Sequence, residues 1–327
     1  MTHEQETKDT SAAPSHPTDA QGKPAAPGGQ GKPRQHDKVT RMGTESIPRL
    51  ITEFAVPSIL GMLVNGAYNV IDSIFLGQAM GEIGLSTATV AMPIMTVFMA
   101  IAMLVGNGGN ALAALRMGEG KPEEAERSLG NTVTLSLIAS VVVAIVMFVP
   151  ACIDGLLSVS GATPEDWDYA MQFIRIISLG FIFQCIGMGV NNFIRTAGAP
   201  NRALGTMIIG AVACTVFNAL FVLVMGMGVV GSALATVCGQ AISCATVLWY
   251  FCLTKGVPMR LRLRMMPLHG ETVRLILSLG LASFAVQAGM AAVNFVLNNL
   301  LNMYGAQSPI GAEGALASIG VVQRVAS

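Results

Sequence analysis

Asp72 is the residue in this sequence whose type and setting most strongly imply chemistry. It lies in the stretch Glu53–Gly77, EFAVPSILGMLVNGAYNVIDSIFLG, an apolar run long enough to cross a bilayer. An acidic group at membrane depth is costly, and by default it marks an ion or proton pathway. The plainer alternative is a carboxylate near a helix end reaching for water, but Asp72 falls several residues short of Gly77. Asn65 and Asn69 precede it so that the three occupy positions i, i+4 and i+7, one face of a helix. That face reads as a shared polar stripe. Other polar residues punctuate later apolar runs: Asn191, Asn192, Asn218, Gln240, Gln287, Asn294, Asn298 and Asn299. About half are expected to join helices, at roughly 0.6 kcal/mol each. The rest are candidates for lining a wet cavity.

Other chemistry finds little support. Cys152, Cys185, Cys214, Cys238, Cys244 and Cys252 lie in or beside apolar segments without a CxxC or similar metal spacing. His3, His16, His36 and His269 fall outside the apolar runs, so no His-ligated metal is expected within them. Gly226, Gly228 and Gly231 form a GxGxxG, but it joins two apolar spans and lacks the strand, helix and acidic residue of a nucleotide fold. No Walker A, HExxH or GxSxG motif occurs, so neither nucleotide binding nor an enzyme is expected. The formal net charge of zero gives no reason to expect nucleic acid as a partner.

The elements that must position Asp72 are written for lipid. Only 12% of residues are charged and the mean hydropathy is +0.60, whereas soluble domains are about a quarter charged. Apolar spans are expected near 50–77, 84–115, 131–153, 169–194, 203–225, 229–253 and 273–304, with an eighth opening near 313. Each complete span exceeds the roughly 20 residues that cross a hydrocarbon core as a helix. Seventeen of the nineteen Lys and Arg residues lie in the tail before the first span and in the 2–3, 4–5 and 6–7 connections, and the alternate connections have none. That asymmetry predicts a cytoplasmic N-terminus.

Residues 1–46 are rich in Pro, Gly, Gln, Lys and Asp, which predicts a disordered tail, and they lack the apolar core of a secretory signal. The 2–3 connection, GEGKPEEAERSLGN, reads as a short amphipathic helix. The 6–7 connection alternates Arg with Leu and Met, a pattern suited to an anionic membrane surface. Pro57 and Pro93 are candidate helix bends. Met92, Met95, Met99 and Met103 recur at helical spacing, which packing explains more simply than ligand binding.

Several of these runs carry a family resemblance. PSILGMLVNGAYNVIDSIFLGQ, then VAMPI, then GNGGNALAALRMGEGKPEEAER, resemble the first two spans and following loop of the multidrug and toxic compound extrusion (MATE) family. NNFIRTAGAPNRAL resembles the end of its fourth span, in the form of the MepA-like branch, and MGVVGSALAT its 5–6 turn and the start of its sixth span. The resemblance covers about 50–327. It implies an all-α integral membrane bundle, with twelve helices in two six-helix lobes for the whole family fold. The chain would then hold a tail over 1–46, a first lobe over 47–254, a cytoplasmic inter-lobe loop over 255–272 and a C-terminally incomplete second lobe over 273–327.

The implied function is secondary active efflux of drugs or hydrophobic organic cations across the plasma membrane. The driving flow would be inward protons, preferred here over sodium ions, with no other cofactor. Asp72 matches the family's coupling carboxylate, Asn191 a fourth-span position near it, Asn218 a fifth-span asparagine and Thr236 a sixth-span position. The family often has an aspartate and a proline where this chain has Val222 and Leu223. Asp72 is therefore expected to titrate almost alone, helped by the preference of buried carboxylates for the neutral form. Two other readings remain open: a flippase-like exporter of lipid-linked sugars, and an inactive membrane fragment or scaffold.

Overall fold

A computed structural model describes residues 47–254 and 257–305, with positions 314, 316, 318 and 319. The expected tail at 1–46 lies outside the described residues, and of the eighth span expected to open near 313 only those four positions are described. Helices dominate, and no strand occurs among the described residues.

The first helix, α1 (Ile47–Gly118), has two arms. Its one non-helical residue is Gly81, at φ 62° and ψ −136°. An L-residue with a side chain is strained at that φ, so glycine is suited to the turn between the arms. Pro57 and Pro93, the candidate bends, both sit within helical backbone instead. Pro122 then opens α2 (Pro122–Phe148) at a position that needs no N–H, and Glu123 and Glu124 complement the positive end of the helix. The amphipathic helix expected in the 2–3 connection is thus not separate: it forms the first turns of α2. The third span, expected to reach 153, stops earlier. Val149 is extended, and Pro150 begins the short α3 (Pro150–Val159).

The remaining helices are α4 (Trp167–Thr196), α5 (Pro200–Asn218), α6 (Gly228–Leu253) and α7 (Gly270–Gly305). A six-residue π-helical stretch, Ala219–Val224, extends α5. Among the described residues, six helical segments are long and apolar enough to cross a membrane: the second arm from Ile83 to Gly118, α2, α4, α5 with its π extension, α6, and α7 to Tyr304. Large apolar side chains such as Ile138, Val141, Ile145, Val212, Val216 and Val286 point outward, as a lipid-facing surface requires.

Inside, the packing is layered along the spans. Leu76, Ile94, Phe98, Ile177 and Phe181 form one core towards the face without basic loops, with the Phe98 and Phe181 rings 5.2 Å apart. Leu129, Val190, Phe193, Phe251 and Met259 form another towards the basic loops. The helix α7 runs antiparallel to the second arm of α1. Their backbones cross closely: a Cβ built on Gly280 would stand 1.8 Å from the Leu104 carbonyl oxygen, and one on Gly108 would stand 2.0 Å from that of Ile276. Only glycine permits such an approach, the usual device for close helix contact in membranes.

The 6–7 connection is fastened to α2. The buried Glu126 accepts a hydrogen bond from the Arg260 backbone N–H at 3.0 Å and pairs with the Arg262 Nε at 3.2 Å. Asn131 Oδ1 accepts from the His269 N–H at 2.9 Å, and the Thr134 hydroxyl donates to the Met266 carbonyl at 2.8 Å.

Candidate functional site

Three helical segments converge on Asp72. Its Oδ1 accepts a hydrogen bond from Asn218 Nδ2 at 3.0 Å and another from the Ser232 hydroxyl at 3.0 Å. Asn218 is the last residue of α5, where the i−4 ladder gives way to the π stretch, and Ser232 lies in the first turns of α6. Such π segments are rare and occur frequently at functional sites. Asp72 is half-buried, while Asn218 is 1% exposed and Ser232 fully buried. Asn218 Nδ2 also donates weakly to Cys214 Sγ at 3.7 Å.

The chemistry of these partners is two-sided. An amide offers both a donor and an acceptor, and a hydroxyl can be either. Asn218 and Ser232 therefore satisfy Asp72 as a carboxylate by donating. They can satisfy it as a carboxylic acid by presenting an oxygen. Asn218 Oδ1 is buried without a hydrogen-bond partner. A buried orphan acceptor beside a carboxylate is suited to receiving a proton donor or a cation. Among the described residues no three His, Cys, Asp or Glu side chains gather. A cation at this site would therefore meet one negative charge and neutral oxygens.

The other expected site residues distribute differently. The side chains of Asn65 and Asn69 lie outside the described residues. Asn191 turns to α5: its Nδ2 donates to Thr206 Oγ1 at 2.5 Å and to the Ala203 carbonyl at 3.2 Å. Thr206 and Asn218 are about 18 Å apart along the helix at 1.5 Å per residue, so Asn191 serves a different level of the bundle. Thr236 is buried one turn beyond Ser232 on the same face of α6. Ser232 itself was not anticipated. Its spacing of four residues before Thr236 was the available signal. Asn192 donates to Asn107 Oδ1 at 3.0 Å, and Asn107 donates to Ser283 Oγ at 3.1 Å, a polar chain joining α4, α1 and α7.

A second buried carboxylate belongs to the connection before α4. Asp166 accepts hydrogen bonds from Ser86, from Thr87 at 3.2 Å and from Thr163 at 3.1 Å. Burial pushes its carboxyl above the ordinary range, against the opposing effect of those three hydroxyls.

A helical membrane bundle with a half-buried carboxylate held between α1, α5 and α6 points to a transporter, and comparison with known proteins agrees. The MatE family model matches residues 57–220, half of the chain. The chain belongs to the MatE family and is a multi-pass membrane protein. It is 22% identical over 280 residues to the multidrug export protein MepA of Staphylococcus haemolyticus, covering 86% of this chain and 60% of that protein. It is 26% identical over 282 residues to the probable multidrug resistance protein YpnP of Bacillus subtilis, covering 84% and 59%. Among solved structures, the MATE multidrug transporter DinF-BH, in complex with a dye, superimposes with a TM-score of 0.79 at 32% identity, over 86% of this chain and 61% of that one. The chain thus spans about 60% of the length of these relatives.

Proposed function

We propose that the whole transporter is a secondary active antiporter of the plasma membrane. It exports drugs or hydrophobic organic cations against an inward flow of protons, and Asp72 carries the proton. The observation that carries this reading is the pair of 3.0 Å hydrogen bonds from Asn218 and Ser232 to Asp72 Oδ1. Both partners can exchange donor and acceptor roles, so a proton can arrive or leave without orphaning a group that already bonds Asp72. Either state of the carboxyl selects a different arrangement of α1, α5 and α6, which is the differential interaction a switch requires.

Protons are favoured over sodium because the described site offers a single carboxylate. Val222 stands where related proteins often have a second. The multidrug relatives, and the one solved with a bound dye, support drugs as the exported class. The basic 2–3, 4–5 and 6–7 connections support a cytoplasmic placement of that face.

The test is pH-gradient-driven export by a full-length protein in proteoliposomes, with and without sodium. Asp72→Asn is expected to abolish coupled export while leaving the folded protein intact. Wild-type export by that variant, or export that follows the sodium gradient alone, would sink the reading.

A further inference from the structure

A cavity of about 580 Å³ lies on the face without basic loops, directly beyond Asp72. Each element that contributes to the Asp72 site also contributes to this cavity, about one to two turns further along. Gln78 follows Asp72 by six residues on α1, about 9 Å at helical rise. Val222 follows Asn218 by four residues in the π stretch, and Val229 precedes Ser232 by three on α6. The rim is polar and exposed, with Gln78, Tyr169 and Gln172. The two valines nearest the site are each only 2% exposed. The cavity therefore has a polar, exposed rim and two buried valines, and those valines lie about one helical turn from Asn218 and Ser232, the partners of Asp72.

We propose that this cavity is the vestibule through which the coupling cation reaches Asp72, and that Val222 and Val229 form its apolar seal. The inference rests on the antiporter reading above and adds a route and a gate to it. The ligand is a hydrated proton or another small monovalent cation. No lining side chain is charged among the described residues, so the mouth offers amide and phenol dipoles without trapping an ion. A seal of two valines breaks a continuous water file when closed, yet needs only a small shift of the π stretch to admit one. Ionisable groups on the packed elements are Tyr169 at the rim, Asp168 and Arg175 on α4, and Cys214 on α5. On α1 the next is Glu82, whose side chain is not among those described.

The experiment uses the full-length protein in proteoliposomes, with its native cysteines replaced and either Gln78→Cys or Gln172→Cys introduced. Membrane-impermeant thiosulfonates, one cationic and one anionic, are added from outside. The quantity measured is the part of proton influx that Asp72→Asn removes, with and without a sodium gradient. Cationic labelling at either position is expected to slow that influx about tenfold, and anionic labelling to leave it unslowed. Val222→Ala is expected to speed it several-fold, and Val222→Ile to slow it. Complete labelling with unchanged influx overturns the proposal. So does labelling that blocks drug export but not influx, which would make the cavity a drug path. Sodium dependence of the labelled component would change the cation and leave the route standing. If Asp72→Asn removes no influx, the failure belongs to the antiporter reading instead.

Discussion

Replacing Gly280 by alanine tests the close crossing of α7 with the second arm of α1. The added Cβ would stand 1.8 Å from the Leu104 carbonyl oxygen, and ordinary contact begins at 3.4 Å. The obstacle is backbone, so no rotamer change relieves it, and the helices must part by about 1.6 Å. The neighbouring Asn107–Ser283 hydrogen bond, already 3.1 Å, lies on the same seam. Overpacking of this kind costs about 1–3 kcal/mol, and gaps of half to one ångström forfeit a quarter to a half of each dispersion contact nearby. Helix propensity works the other way, favouring alanine over glycine by about 1 kcal/mol. Gly289, on the same helix, separates the two effects because a Cβ there meets nothing within 4 Å. Unfolding in mixed detergent micelles should find Gly289→Ala as stable as wild type or more so, and Gly280→Ala less stable than Gly289→Ala by about 1–3 kcal/mol. Equal stability of the two variants would refute the crossing.

Three further outcomes follow from contacts described above. Ser232→Ala removes a donor to Asp72, a charge-assisted bond worth about 1.5–3 kcal/mol. Proton-coupled export should fall at least several-fold and be kept by Ser232→Thr, as measured in everted vesicles. Asp166, raised by burial, binds its proton more tightly folded than unfolded, so its contribution is full below about pH 4 and is lost as pH rises through the higher folded value. Thermal melts should show wild-type stability falling across that window by up to about 1.4 kcal/mol per pH unit on this account, and Asp166→Asn should flatten the slope. Glu126→Ala removes the acceptor of the Arg260 N–H and the partner of the exposed Arg262 guanidinium, at a cost of about 0.5–1.5 kcal/mol. Trypsin should then cut the 257–269 segment faster, whereas Glu126→Gln, which keeps the acceptor, should resist as wild type does.

Asp72 could be singled out from the chain alone because one charge in an apolar span has few innocent explanations. Of its neighbours, Asn218 was named through the family resemblance and does bond Asp72, whereas periodicity alone fixes which residues share a helix face and says nothing of which helix that face meets. Asn191 illustrates the limit: the residue type suits a wet cavity and an interhelical bond equally, and here its amide turns to Thr206. Ser232 was hidden by its ordinariness, since small hydroxyl residues are common wherever membrane helices pack. Asp166 carries no local mark, because the hydroxyls of Ser86 and Thr87 that bond it lie about eighty residues earlier. The break in α1 falls at Gly81, a glycine with positive φ, in the gap left between the spans expected over 50–77 and 84–115.

The fastening of the 257–269 segment to α2 also bears on how the protein is made. Glu126, Asn131 and Thr134 belong to a helix synthesised long before the segment they hold. Domains generally form in order from the N-terminus during synthesis. The docking groups for the linker are therefore in place on the first lobe when the linker emerges. Asn131 grips the N–H of His269, immediately before α7 begins at Gly270. The residue that leads into α7 is thus held by a helix made well before it, so the start of α7 is fixed by α2 as well as by the packing of α7 on α1.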